Sequence, residues 1–228
     1  MNVLYLDTSS NFLYAAISNN SKIIIESKEK LNKDLSSLAM KKISEMFEIG
    51  KININDINKI IVVNGPGSFT GIRVGLTIAK VLAWAKNIPI IPISSLEAMT
   101  ISDNETSDYV VAAIDARRNY VYATIYDKKN EKFVMNEQYI SLKTLEIAMS
   151  NLPGKVSYIT NDDIETKYSK NEYNPQFLNI IKYSLNKEEI NPHLIDANYL
   201  KKTEAEEKND LRSQEEWSII NESINNNF

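Results

Sequence analysis

The sequence predicts an α/β protein that folds as two lobes of related topology. Short apolar or β-branched runs alternate with segments whose apolar residues recur every three or four positions, which indicates strands and helices in one chain. A repeat at an offset of 108 residues indicates the second lobe, because 13–17 (LYAAI) is echoed by 121–125 (VYATI). The same offset matches 6–7 with 114–115, so each copy has a strand that ends at an aspartate before a polar turn.

The first lobe, predicted over residues 1–104, opens with a three-stranded meander. Its strands are the apolar runs 3–6, 12–17 and 22–27, which clusters of Asp, Thr, Ser and Asn separate. Asp34 is the predicted N-cap of a helix that ends near Gly50, since the apolar residues between them are spaced by three and four.

A strand, a helix and a second strand complete this lobe. They are predicted at 60–63, 72–86 and 89–93. Pro92 favours an edge position for the last strand, because proline has no N–H to donate to a neighbour. Ser94, followed three residues later by Glu97, predicts a capping box at the start of a further helix.

The second lobe, predicted over residues 105–203, is smaller and more polar. Four of the 6 glycines lie between residues 65 and 75, whereas this lobe has only Gly154. Weak helices are expected at 141–149 and 175–185, with a short strand at 156–160. Residues 204–228 are expected to be a polar tail, frayed or helical around 217–224.

Composition excludes several classes of protein. With Cys 0 there is no thiolate site, and with the single histidine His193 no site can use two imidazoles, so zinc hydrolases are poor candidates. The net charge of -4 gives no overall attraction to a phosphate backbone. No basic leader and no apolar stretch of the roughly 20 residues that a membrane span needs is evident, so a soluble cytoplasmic protein is expected.

A glycine-rich window joins the strand at 60–63 to the helix at 72–86. It reads GPGSFTGIR from residue 65 and has neither the lysine of a Walker loop nor dinucleotide-binding spacing. One interpretation is a structural turn; the other is a nucleotide or partner contact, since amides at a helix N-terminus can receive an anion. Its candidate residues are Gly65, Gly67, Ser68, Thr70, Gly71 and Arg73.

The helix at 72–86 is apolar nearly all round, although a surface helix should show only an apolar stripe. Gly75, Ala79 and Ala83 are four residues apart and form a row of small side chains against which another helix could lie. Burial within the monomer is one explanation. A helix covered by its own sheet on one side and by another subunit on the other is the second, and it explains the composition better.

Each of the two repeated strands ends at an aspartate, at the point where the two predicted lobes would face each other. Asp7, followed by Thr8, and Asp115 could hold a metal bridged to phosphate or act as acid and base. Alternatively they are turn residues, with Arg117 pairing to Asp115. Both interpretations stay open at this stage.

Several segments together resemble the TsaB family, also called YeaZ. They are 65–73 (GPGSFTGIR), 94–97 (SSLE) and 113–118 (AIDARR), and the resemblance extends from residue 1 to about 206. It implies the two-lobed ASKHA fold of actin, Hsp70 and sugar kinases, with mixed sheets and a degenerate second lobe. It also implies a non-catalytic subunit of the bacterial machinery that makes threonylcarbamoyladenosine (t6A) beside the anticodon of tRNA.

The resemblance further implies partners. A TsaD-like subunit would transfer the threonylcarbamoyl group, a TsaE-like ATPase would join the complex, and tRNA would be contacted only indirectly. TsaD-like enzymes carry a pair of metal-binding histidines, whereas this chain has His193 alone, so no catalytic residue, metal or cofactor is carried over. Without its partner, the apolar helix predicts a homodimer.

In the family, the first two helices form the TsaD contact. Here they correspond to 34–47 and 72–86, and the predicted interface residues are Leu38, Met46, Ile72, Gly75, Leu76, Ala79, Leu82 and Ala83. Two rival functions remain: a TsaD-like transferase or metallopeptidase, which needs a metal site, and a small phosphotransferase of the same fold that uses Asp7 or Asp115.

Overall fold

The computed structural model describes residues 1–20, 22–31 and 35–201, and two five-stranded mixed sheets organise them. The first sheet has the order β3-β2-β1-β4-β5. Its strands are β1 (Asn2–Asp7), β2 (Phe12–Asn19), β3 (Lys22–Lys30), β4 (Ile57–Val63) and β5 (Ile90–Ile93). β1 pairs antiparallel with β2 and parallel with β4.

Two long helices cover one face of this sheet. They are α1 (Leu35–Gly50) and α2 (Phe69–Lys86), and they pack against each other as well as on the strands. Side chains alternate along β1, so that Leu4 and Leu6 enter the core beneath these helices. Tyr5 points to the opposite face, where its ring meets the ring of Phe177 at 5.7 Å.

The second sheet repeats the topology of the first, with the order β10-β9-β6-β7-β8. Its strands are β6 (Tyr109–Asp115), β7 (Tyr120–Asp127), β8 (Lys132–Ser141), β9 (Val156–Ile159) and β10 (Lys170–Asn171). α4 (Leu142–Ser150) packs on β7 and β8. α3 (Ser95–Ile101) contacts β6 and β7, α5 (Phe177–Ser184) contacts strands of the first sheet, and these two helices contact each other. The predicted α/β fold with duplicated mixed sheets is therefore confirmed.

The register of the paired strands corrects the predicted equivalence of Asp7 and Asp115. Tyr14 stands opposite Asp7, but Tyr122 stands opposite Ile114 and not opposite Asp115. Residues 8–13 separate the first pair and residues 115–121 the second, so the second connection is one residue longer. Asp7 and Asp115 are therefore not equivalent, because a one-residue shift moves a side chain to the other face.

Most predicted elements are confirmed, and two strands were missed. Pro92 lies on an edge strand, and Ser94 and Glu97 form the predicted capping box. β8 and β10 were not predicted: β10 is only two polar residues long, and the apolar residues of β8 are interrupted by the polar run 136–138. The predicted N-cap Asp34 and the tail at 204–228 lie outside the described residues.

Met1–Asn198 form one compact unit, and the lobe boundary between residues 104 and 105 stays a prediction. The second unit is Tyr199–Phe228, of which only the first three residues are described. Among the described helices, none combines the length and the apolar character that crossing a membrane requires.

Candidate functional site

The glycine-rich window is bound to the turn between β1 and β2. Ser68 is the N-cap of α2, and its hydroxyl accepts a hydrogen bond from the amide of Gly71. The amide of Ser68 donates to the carbonyl of Ser9 at 2.7 Å. The hydroxyl of Thr8 donates to the carbonyl of Gly71, also at 2.7 Å and buried. The first turn of α2 is thus tied to the end of β1.

Three of the glycines have no room for a Cβ, because atoms of Thr8 and Ser9 lie close to their backbone. A Cβ on Gly67 would collide with the carbonyl oxygen of Ser9, and one on Gly71 with that of Thr8. On Gly75 it would meet the Thr8 hydroxyl. Gly67 also has a φ of +151°, which L side chains rarely adopt. This packing supports the structural interpretation of the window.

The other window residues divide into buried and exposed. Gly65, with a φ of +112°, accepts a hydrogen bond from the amide of Ser95 at 3.0 Å. Thr70 and Arg73 are exposed, and the Arg73 guanidinium lies 3.7 Å from the centre of the Phe69 ring. The candidate residues of the glycine-rich window therefore do not all line one site.

A cleft of about 440 Å³ lies where β1 and β6 end, and both predicted aspartates line it. Its wall also contains polar side chains from both halves of the chain, including Ser9, Tyr14, Asn161 and Asp162. The cleft is large enough for a small ligand, since such sites usually measure a few hundred cubic ångströms.

Asp7 is buried on the floor of this cleft. Its Oδ1 accepts hydrogen bonds from the amide of Ser9 at 2.8 Å and from the Ser9 hydroxyl at 2.7 Å. Burial raises the pKa of Asp7, and the two Ser9 bonds only partly oppose it. Burial likewise raises the pKa of Tyr14 to about 12, and the Asn161 amide donates to its hydroxyl at 3.2 Å.

Asp115 is occupied by its own turn. Its Oδ1 accepts from the amide of Arg117 at 2.8 Å, and its Oδ2 lies 3.6 Å from the Arg117 guanidinium. The amide of Asp115 donates to Asp162 at 2.7 Å, while burial raises the pKa of Asp162. These contacts support the interpretation of Asp115 as a turn residue.

The described residues contain no group of three or more His, Cys, Asp or Glu placed to hold a metal ion. His193 is exposed, as expected, and its ring meets that of Trp84 edge-on at 6.5 Å. The cleft carboxyls and hydroxyls can hydrogen-bond a polar ligand. Only Asp7 among the predicted pair is embedded in the fold.

The predicted interface residues need correction, because most of them are buried within this chain. Met46, Ile72, Gly75, Leu76, Ala79 and Ala83 are all buried. Ala79 and Ala83 belong to the core that the sheet, α1 and α2 share, and Gly75 lies against Thr8, so this row is not open to another subunit. Leu38 and Leu82 remain partly exposed. The interface itself stays a prediction, and of the predicted residues only these two are exposed enough to contribute to a contact on this face.

The structure identifies apolar residues that the prediction missed. Met40, Val81 and Trp84 are exposed large side chains on α1 and α2. A shallow groove of about 340 Å³ lies along α1 and the segment that follows it, where Met40 and Phe47 are among its lining residues, and it reaches α2 at Leu82. Val81 and Trp84 lie opposite the small-residue row on a helical wheel, so periodicity alone could have found them.

Comparisons with known proteins agree with this architecture. The family model described as TsaD, tRNA N6-adenosine threonylcarbamoyltransferase, matches residues 21–205. The chain is 37% identical over 130 residues to the tRNA threonylcarbamoyladenosine biosynthesis protein TsaB of Bacillus subtilis, a match that covers 57% of each chain. It is 45% identical over 82 residues to the protein of the same name from Haemophilus influenzae, covering 35% of each chain.

A solved structure extends the similarity over nearly the whole described fold. YeaZ from Pseudomonas aeruginosa superposes with a TM-score of 0.72 at 18% identity, covering 87% of this chain and 99% of that one. The two sequence matches cover 57% and 35% of the curated relatives, whereas the family model and the fold extend further. The chain, which has the ASKHA-like fold, belongs to the TsaB/YeaZ family.

Proposed function

We propose that this chain is a non-catalytic subunit needed for t6A formation, which binds and activates a TsaD-like transferase. The relatives' names place them in tRNA threonylcarbamoyladenosine biosynthesis. The transferase family model also matches most of this chain, as expected for a paralogue of the enzyme it would bind. In this proposal the TsaD-like subunit performs the transfer and holds the tRNA, and a TsaE-like ATPase joins the complex.

The observation that carries the proposal is the apolar surface on the outer side of α1 and α2. Met40 and Val81 are 45% and 55% exposed, and Met40 lines a groove together with Phe47 of α1 and Leu82 of α2. Exposed apolar patches of this kind mark sites where another protein binds. We call the surface formed by Met40, Val81, Leu82 and Trp84 the helix-pair surface.

The helix-pair surface also explains how the chain would behave alone. A surface that buries apolar side chains against a TsaD-like partner can bury them against a second copy when the partner is missing. We therefore expect a homodimer that the TsaD-like subunit dissociates as it binds.

A binding experiment with matched variants tests the proposal. The chain and its cognate TsaD-like subunit are mixed, and their dissociation constant is measured by calorimetry. Met40→Glu with Val81→Glu should weaken binding at least roughly 30-fold, the effect of losing one interface hot spot. Ile147→Glu is the control, because Ile147 is 53% exposed but lies on α4, away from the helix-pair surface.

Equal binding by the wild type and the double variant would place the contact elsewhere on the chain. No binding by the wild type would contradict the proposed function.

A further inference from the structure

We propose that the turn between β6 and β7, together with the tyrosines beside it, contacts a single-stranded segment of the tRNA directly. We call this the Arg-Tyr surface, and it consists of Arg117, Arg118, Tyr120, Tyr122 and Tyr139. The inference rests on the proposed function, which supplies the RNA, and goes beyond it by adding a contact made by this chain.

The backbone of the turn is unusual. Arg117, Arg118 and Asn119 have φ angles of 69°, 55° and 60°, three consecutive non-glycine residues in the left-handed region. This conformation is sterically unfavourable for residues other than glycine, and such outliers cluster at functional sites. This is also the connection that is one residue longer than its counterpart in the first sheet.

Surrounding contacts hold the turn in this conformation. The amide of Tyr120 donates to the carbonyl of Arg117 at 3.0 Å, and the amide of Leu142 donates to the carbonyl of Asn119 at 2.8 Å. Asp115 accepts the amide of Arg117 at 2.8 Å. The turn therefore presents both arginine side chains to solvent from a fixed frame, and that of Arg117 is 88% exposed.

The choice of arginine is itself informative. Only Arg73, Arg117, Arg118 and Arg212 among the 26 basic residues are arginines, and two of the four are adjacent here. A guanidinium offers a planar fork of donors that binds phosphate through two hydrogen bonds and also stacks on bases, whereas a lysine ammonium binds phosphate only as a point charge. In a chain that otherwise uses lysine, this placement indicates that guanidinium geometry matters at the turn.

Stacked tyrosines adjoin the two arginines. The rings of Tyr120 and Tyr139 lie 4.7 Å apart and are inclined by 15°, and that of Tyr122 lies 5.7 Å from Tyr139. Tyr120 is 40% exposed, so one end of the stack is open. Single-stranded RNA is recognised in this way, with unpaired bases on aromatic rings and phosphates on arginines.

The local charge explains why this contact would act only within the complex. Asp115 and Asp162 lie beside the turn, and the whole chain carries a net charge of -4. The Arg-Tyr surface therefore adds selectivity and affinity to RNA that the transferase already holds. An acidic peptide would use the arginines but would have no use for the open tyrosine face.

The test measures tRNA binding by the complex of this chain with its TsaD-like subunit. Fluorescence anisotropy with an unmodified tRNA transcript that carries adenosine beside the anticodon gives the affinity at several salt concentrations. Arg117→Gln with Arg118→Gln should weaken binding about tenfold or more and reduce the slope of log K against log salt by about 1.4, for two single-strand phosphates. Lys129→Gln with Lys132→Gln, at the other end of β7, is the control of equal charge change.

A tyrosine pair separates stacking from charge. Tyr120→Ala should weaken binding roughly 5- to 150-fold with an unchanged salt slope, whereas Tyr120→Phe should bind like the wild type, because stacking needs only the ring. Thermal melting and gel filtration of each complex check that the variants fold and bind the partner.

The outcomes distinguish the two proposals. If the wild-type pair, supplied with the TsaE-like ATPase and the threonylcarbamoyl donor, makes no t6A, the proposed function is wrong and this inference is wrong with it. If the wild-type pair makes t6A but the arginine and tyrosine variants bind tRNA as the lysine control does, only this inference is overturned. Weaker binding to the TsaD-like subunit with unchanged binding of RNA would overturn it as well, by showing a protein contact.

Discussion

Gly71→Ala tests whether the glycine-rich window serves packing or a ligand. The added Cβ would collide with the carbonyl oxygen of Thr8, a backbone atom that cannot rotate away. Overpacking of this kind costs about 1–3 kcal/mol. The buried hydrogen bond from the Thr8 hydroxyl to the Gly71 carbonyl would also be strained, at about 1 kcal/mol. The higher helix propensity of alanine offsets about 1 kcal/mol of this loss of stability.

The net loss is therefore about 2 kcal/mol in the free energy of unfolding. For a chain of this size it corresponds to a fall in Tm of about 4–8 °C. Gly50→Ala is the control, because Gly50 ends α1 and its added Cβ would meet side-chain methyl groups of Ile25, at 3.3 Å, and of Ile24, at 3.6 Å, but no backbone atom. That variant should stay within about 1 kcal/mol of the wild type.

Urea unfolding followed by circular dichroism measures both variants. A Gly71→Ala protein as stable as the Gly50→Ala protein would refute the packing argument. If it also lost affinity for ATP that the wild type possessed, the window would be a nucleotide site and the phosphotransferase alternative would return.

The remaining predictions concern the buried polar groups. Because burial raises the folded-state pKa of Asp7, the native state binds more protons than the unfolded state above the usual value of 3.8. Its contribution to stability therefore falls as the pH rises from 3.8 through the raised pKa. Asp7→Asn can still accept the Ser9 bonds through Oδ1, so urea unfolding across this range should show a flatter pH dependence and no loss of stability at pH 7; a steeper dependence would contradict the sign. Glu97 caps α3 by accepting from the amide of Ser94 at 3.1 Å and pairs with Lys187 at 2.7 Å. Glu97→Gln keeps the cap but loses the charge, so it should cost about 2 kcal/mol, and a double-mutant cycle with Lys187→Gln should show coupling; additive losses would mean that the pair contributes nothing.

Elements with strong local patterns could be predicted from the sequence. The apolar runs of β1, β2 and β4 and the capping box at Ser94 are local signals, and the structure confirms them. β8 could not be predicted in the same way. Its side chains alternate between half-buried and exposed, but the polar run 136–138 places Glu137 on the inner face and so interrupts the apolar pattern that would indicate a strand.

The repeat shows that matching residues at a fixed offset does not establish which residues are structurally equivalent. The fixed offset of the repeat aligns Asp7 with Asp115. In the structure the strands pair one residue away from that alignment, because the second turn is longer. Turn length depends on backbone angles at Arg117 to Asn119, which residues other than glycine rarely adopt.

The sequence could not establish which side of α2 packs on the chain's own core. An apolar helix with a row of Gly75, Ala79 and Ala83 fits close packing on either a sheet or another helix, and the sequence does not say which lies there. Burial shows that the row faces inward, so the exposed side of α2 is the one marked by Val81 and Trp84.

Reconstitution of t6A synthesis tests the central claim most directly. The cognate TsaD-like subunit, the TsaE-like ATPase, tRNA and the threonylcarbamoyl donor are combined with and without this chain, and t6A is quantified by mass spectrometry. We predict product when this chain and the TsaD-like subunit are both present, and none from this chain alone. Transfer by this chain alone, or equal synthesis in its absence, would contradict the account.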